Sequence, residues 1–101
     1  NMPTTIEAAE ILGKNGVLVC PAKAVNAGGV AVSGLEMAQN SARLSWTADE
    51  VDSKLKSIMQ DIYAQIKSAI EEFSLPYNLI RGANIAGFKK VANAMIAEGV
   101  Y

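Results

Sequence analysis

The most regular pattern of apolar and polar positions lies in the second half of the chain. Val51, Leu55, Ile58, Met59, Ile62, Ile66, Ile70 and Phe73 recur mainly at steps of three and four, which places them on one face of an α-helix. Lys54, Lys56, Asp61, Lys67, Glu71 and Glu72 fall between them and supply a solvated face. Thr47 and Glu50 have the spacing of a capping box, and Asp49 and Glu50 put negative charge where a helix N-terminus favours it. The pattern predicts an amphipathic helix that starts at this box and runs to about Phe73. Leu75-Pro76 breaks the chain, and a last helix is expected from about Asn78 to Ala97, with Gly99 past its end. Gly82 and Gly87 lie inside it. An interior helix glycine costs about 1 kcal/mol, so both predict a close backbone contact.

The first half reads differently. Pro3 to Lys14 has a partial apolar face in Ile6, Ala9 and Leu12, and Thr4 with Glu7 has capping-box spacing, which predicts a short helix. Asn15-Gly16 ends it by allowing a left-handed turn. Val17 to Cys20 is a continuous β-prone run closed by Pro21, as expected of a strand buried on both faces of a parallel sheet. A helix, a strand and a second helix form an αβα fragment of a doubly wound fold. In such folds ligands sit beyond the carboxyl ends of the strands, which is where Pro21 to Ser33 would lie. One strand with about four helices is a poor independent domain, because a buried parallel strand needs neighbours on both sides. The expectation is therefore part of a larger protein, and Asn1 preceding Met2 agrees with it.

Asn26 to Asn40, NAGGVAVSGLEMAQN, carries the candidate chemistry. Gly28 and Gly29 lack a Cβ, so a ligand can lie against their backbone, and they stand where a helix would leave N–H groups unpaired. Val30 and Ser33, three apart, share a helix face. An apolar wall with one hydroxyl resembles the side of a small-molecule pocket. A tightly packed buried helix, in which small residues admit a neighbour, accounts for the same pattern.

Composition narrows the function. The chain has 101 residues, half of them apolar, and a net charge of −1, as in a globular domain. Without a basic surplus, nucleic acid is not an expected partner. The longest uncharged stretch, Ala24 to Leu35, is too short and too interrupted by Gly, Asn and Ser to span a membrane, and no signal peptide is visible. The single cysteine, Cys20, cannot form an internal disulfide and suits a reducing, cytoplasmic setting. No histidine is present, which removes the usual metal ligand and the commonest general base. No metal site is expected.

Taken in order, several motifs resemble the C-terminal portion of the hexameric glutamate dehydrogenases, clostridial and enterobacterial in type, within the Glu/Leu/Phe/Val dehydrogenase family. They are Asn1-Met2-Pro3-Thr4-Thr5, Pro21 to Val30, Ser33-Gly34-Leu35-Glu36-Met37, then Asn40, Arg43, Leu44 and Trp46, then Tyr77-Asn78-Leu79 and Gly82 to Phe88. The resemblance covers essentially the whole chain. It implies an α/β fold: residues 1–46 as the end of a Rossmann-like doubly wound dinucleotide-binding domain, and residues 47–101 as a mainly helical C-terminal segment. It also implies reversible NAD- or NADP-dependent oxidative deamination of L-glutamate to 2-oxoglutarate and ammonium, in a cytoplasmic homohexamer. By motif match Ser33 would hydrogen-bond the substrate γ-carboxylate, a charge-assisted bond, and Val30 would pack on the substrate methylenes. Asn26 and Asn1 would contact the nicotinamide-ribose half of the cofactor, since an amide both donates and accepts. Asn26 could equally be an ordinary helix N-cap, and Asn1 part of a turn.

The family's catalytic lysines, catalytic aspartate and glycine-rich fingerprint have no counterpart here, and nothing in the match makes Lys23 catalytic. No catalytic residue is assigned, and this polypeptide alone is expected not to turn over glutamate. A related dehydrogenase for an apolar amino acid would place an apolar residue at position 33. A helical assembly module would use the two long helices as contacts.

Overall fold

The computed structural model describes residues 1–99. Five helices follow one another: α1 (Ile6–Lys14), α2 (Ala22–Val25), α3 (Ala27–Ala42), α4 (Ala48–Glu72) and α5 (Leu79–Glu98). The longest, α4, begins as the sequence predicts. Thr47 Oγ1 accepts from Glu50 N at 3.3 Å, and Glu50 Oε2 accepts from Thr47 N at 2.6 Å. This reciprocal box satisfies N–H groups that have no intrahelical partner. At the start of α5, Asn78 Oδ1 accepts from Arg81 N at 3.0 Å. The cap of α1 falls one residue later than its spacing predicts: Thr5, not Thr4, accepts from Ala8 N, at 3.2 Å.

Three helices end alike. Gly16, Arg43 and Ser74 all take positive φ, of 75°, 56° and 49°. After each, the next N–H reaches five residues back: Val17 to Leu12 O, Leu44 to Gln39 O and Leu75 to Ile70 O, at 3.0 to 3.2 Å. This is the Schellman closure, in which a left-handed residue lets the chain turn back onto orphan carbonyls. Only Gly16 adopts that backbone without a Cβ penalty.

The expected strand is absent. Residues 17–20 carry no strand assignment, and the described residues form helices only, so the α/β expectation is corrected for them. The reason is physical. A strand exists through its ladder, and no second segment runs beside this one to accept its N–H groups.

The core lies where α4 meets α5. Ile66, Ala69, Ile70 and Leu79 are buried, with Ala24, Ile62, Leu75 and Ala83 packed around them. The helices approach closely at Gly82, where a Cβ would sit 2.7 Å from Ile70 Cγ1 and 2.9 Å from the Ile66 carbonyl oxygen. Gly82 therefore makes the close contact its cost implies. Gly87 does not, since nothing lies within 4 Å of its Cβ position. Nearer the start of α4, on the same apolar stripe, α3 packs through Gly28, which faces Met59 and Leu55. The α3–α4 connection is tied by Trp46 N donating to Gln39 Oε1 at 2.7 Å, with Lys54 Nζ 5.0 Å from the Trp46 ring centroid.

The arrangement is open. The radius of gyration is 16.7 Å, against about 13 Å for a compact domain of this length. Large apolar side chains including Ile6, Val30, Met37, Phe88 and Ile96 stand in solvent. Patches of this kind mark surfaces that other protein surfaces or ligands cover.

Candidate functional site on the outward face of α3

Helical register divides α3 in two. Ala27, Gly28, Ala31, Leu35 and Gln39 are the partly buried positions, and Gly28 shows that this side meets α4. At 100° per residue, Val30, Ser33 and Met37 lie on the opposite side. There Val30 is 76% and Met37 70% exposed, and Ser33 is exposed as well. Val30 and Ser33 thus share one face, as their spacing predicts, and that face is open among the described residues. Met37 extends the same face by one turn. Sequence reasoning gave it no role, although its distance of four residues from Ser33 carried the signal.

The glycine pair separates in the same way. Gly28 is a packing residue, with Met59 Sδ 3.4 Å and Leu55 Cδ1 3.6 Å from its Cβ position. Gly29 has nothing within 4 Å and leaves its backbone approachable. The expected row of free N–H groups is reduced, because α2 runs almost directly into α3. Asn26 N donates to Ala22 O at 2.9 Å, and Gly29 N donates to Asn26 O at 3.1 Å.

Ser33 Oγ donates to Gly29 O at 3.2 Å, a bond back across one turn that is common for helical serine. The hydroxyl proton can turn from that carbonyl to a carboxylate, which accepts more strongly because it is charged. Asn26 does not cap α3 with its side chain: its backbone is already helical, with φ −75° and ψ −10°. The ordinary N-cap reading is therefore set aside. Its Nδ2 instead donates to Asn1 Oδ1 at 3.0 Å, across 25 residues of sequence. The two asparagines that the resemblance assigns to the cofactor are in contact.

Two ionisable groups are shifted, and both lie away from this face. Glu50 has its carboxyl lowered from the usual value, first because the Thr47 backbone N–H donates to it and then because the Thr47 hydroxyl does. Its position at the N-terminus of α4 accounts for this without chemistry. Tyr77 is raised, chiefly by its hydrogen bond with Tyr63, whose hydroxyl lies 3.3 Å away. Among the described residues no three His, Cys, Asp or Glu side chains converge as a metal site would require. Nor is any helix long and apolar enough to cross a membrane. Two concavities among the described residues lie elsewhere. A cleft of about 240 Å³ runs between residues 16–19 and 77–80, and a shallow groove of about 660 Å³ lies between α4 and α5. Val30, Ser33, Asn1 and Asn26 line neither.

Comparison with known proteins gives this face its context. The family model described as Glutamate/Leucine/Phenylalanine/Valine dehydrogenase matches residues 1–99. The chain belongs to this family. It is 58% identical over 101 residues to the NAD-specific glutamate dehydrogenase of Clostridium symbiosum, covering 99% of this chain and 22% of that protein. It is likewise 58% identical to the NADP-specific glutamate dehydrogenase of Escherichia coli K12, with the same coverage. A solved glutamate dehydrogenase superposes with a TM-score of 0.86 at 58% identity, over 99% of this chain and 22% of that one. Plasmodium falciparum glutamate dehydrogenase 2 superposes with a TM-score of 0.87 at 52% identity, over 98% of this chain and 22% of that one. The chain thus spans about 22% of the length of these family members.

Proposed function

We propose that this chain is the substrate- and cofactor-positioning portion of a glutamate dehydrogenase, which interconverts L-glutamate with 2-oxoglutarate and ammonium using NAD or NADP. The observation that carries this reading is 58% identity to a glutamate dehydrogenase across essentially the whole chain. The outward face of α3 gives it chemical content. Ser33 donates to the substrate γ-carboxylate, Val30 packs against the methylenes, and Asn26 and Asn1 serve the nicotinamide-ribose half of the cofactor. Gly29 lets a ligand approach the backbone. Acid–base groups and the dinucleotide fingerprint come from other parts of the enzyme, so the isolated chain gives no turnover.

In this reading residues 1–46 close a Rossmann-like domain. Residues 17–20 become a strand once a neighbour pairs with them, and residues 47–101 form the helical segment. The enzyme is a cytoplasmic homohexamer with no nucleic-acid or membrane partner. The choice between NAD and NADP is made outside this chain, which is 58% identical to an NAD-specific and to an NADP-specific relative alike.

A dehydrogenase for an apolar amino acid is the competing reading, since the family description includes leucine, phenylalanine and valine. Ser33 favours glutamate, because a hydroxyl there has a carboxylate to bind and an alkyl side chain would give it none. The test is a chimera in which this chain replaces the matching segment of the Clostridium symbiosum enzyme. Glutamate-dependent cofactor reduction, followed by absorbance, is expected. A chimera that folds but oxidises leucine or valine in preference to glutamate overturns the reading.

A further inference from the structure

We propose that Met37 is a specificity-determining residue that closes the far end of the substrate site, so that a dicarboxylate of glutamate's length fits against Val30 and Ser33 and a longer one does not. This rests on the function proposed above and adds to it what sets the length of the substrate.

The proposed contacts give the substrate a direction along α3. Oxidation passes a hydride from the substrate's amino carbon to the nicotinamide, so that carbon lies towards Asn26, at the start of the helix. At a rise of about 1.5 Å per residue, Val30 follows Asn26 by about 6 Å, Ser33 follows Val30 by about 4.5 Å, and Met37 follows Ser33 by about 6 Å. The step from Val30 to Ser33 is one that two methylenes bridge. Met37 therefore stands beyond the γ-carboxylate, where an additional methylene would push it.

Register puts Met37 in line with both partners. Around the helix axis it lies about 20° from Val30 and about 40° from Ser33, whereas Glu36, in the same turn, is rotated about 120° from Val30. Met37 is exposed, so its side chain is not spent on the packing of α3 against α4. A long helical side chain leans towards the N-terminus and covers the turn before its own Cα, which for Met37 is the turn of Ser33 and Gly34. Gly34 has nothing within 4 Å of its Cβ position and leaves room for the thioether. Methionine suits such a place, because a flexible apolar chain fills an irregular gap. It also keeps water from the Ser33–carboxylate bond, which a lower local dielectric strengthens.

The experiment compares kcat/KM for L-glutamate and for L-2-aminoadipate, which is one methylene longer, in the chimeric enzyme and two variants, with thermal melting alongside. Met37→Ala is expected to raise the aminoadipate-to-glutamate ratio by about 10-fold or more, the discrimination that one methylene carries in an apolar pocket. Met37→Leu, of nearly equal volume, should keep the ratio within about twofold of the parent. An unchanged ratio in Met37→Ala overturns the proposal. So does an equal loss on both substrates with a lower melting temperature, which would make Met37 a packing residue. Either result leaves a glutamate-selective parent chimera standing. A parent chimera that prefers leucine or valine removes the underlying function, and the length limit falls with it.

Discussion

Gly82 and Gly29 stand in helices of the same chain and carry a similar conformational cost, yet their surroundings are opposite. At Gly82 the α4 backbone and Ile70 occupy the space a methyl group would need. At Gly29 that space is open. The α4–α5 crossing is filled by residues within this chain, whereas Gly29 and Val30 on α3 stand open among the described residues. An unexplained glycine or exposed valine on such a face is a clue to what binds there. The same feature in the seam is a packing requirement.

The sharpest test of this contrast is Ser33→Val in the chimeric enzyme. Loss of a charge-assisted bond should lower kcat/KM for glutamate by about 10- to 100-fold, with cofactor KM little changed. Equal losses for glutamate and cofactor would remove Ser33 from its assigned role. Next are the glycines themselves. Gly82→Ala should destabilise by about 2 kcal/mol through overpacking, visible in thermal or urea unfolding. Gly29→Ala should leave melting unchanged or raised while weakening ligand binding, and the reverse pattern would break the comparison.

Smaller effects are expected at the helix ends. Thr47→Ala removes one half of the α4 capping box and should cost about 1 kcal/mol. Ser74→Gly relieves a left-handed, non-glycine backbone and should stabilise by about 1 kcal/mol, again by unfolding. The smallest is a pH effect. The carboxyl of Glu50 is lowered in the folded state, so its contribution is full above the ordinary glutamate value of about 4.3 and is lost as pH falls through the lowered one. Circular dichroism should show an acid-dependent loss of helix that is reduced in Glu50→Gln. An unchanged acid profile would remove the box as its source.

Much of this was legible in the residues. The α4 stripe, its capping box, the Asn78 start of α5 and the shared face of Val30 and Ser33 are local matters of period and short-range hydrogen bonding, and they appear as the pattern implies. The α1 cap slipped by one residue because Thr4 and Thr5 offer the same hydroxyl. The strand at 17–20 failed for a different reason: a β-prone run becomes a strand only when another segment pairs with it. Gly87 misled because a glycine's cost is local, while the reason for tolerating it depends on a neighbour that composition does not name. The left-handed endings at Arg43 and Ser74 left no glycine to mark them.

By itself, the sequence determined the two long helices α4 and α5, where they begin, and a family membership carried by motifs in order. Each depends on neighbours along the chain or on ordered spacing. Only the tertiary structure decided that Gly28 packs while Gly29 stays open and that Gly82 is a crossing point. It also decided that Asn26 leaves its cap to meet Asn1. Those outcomes depend on what lies across space, where one rotation about a helix axis turns a core position into a site.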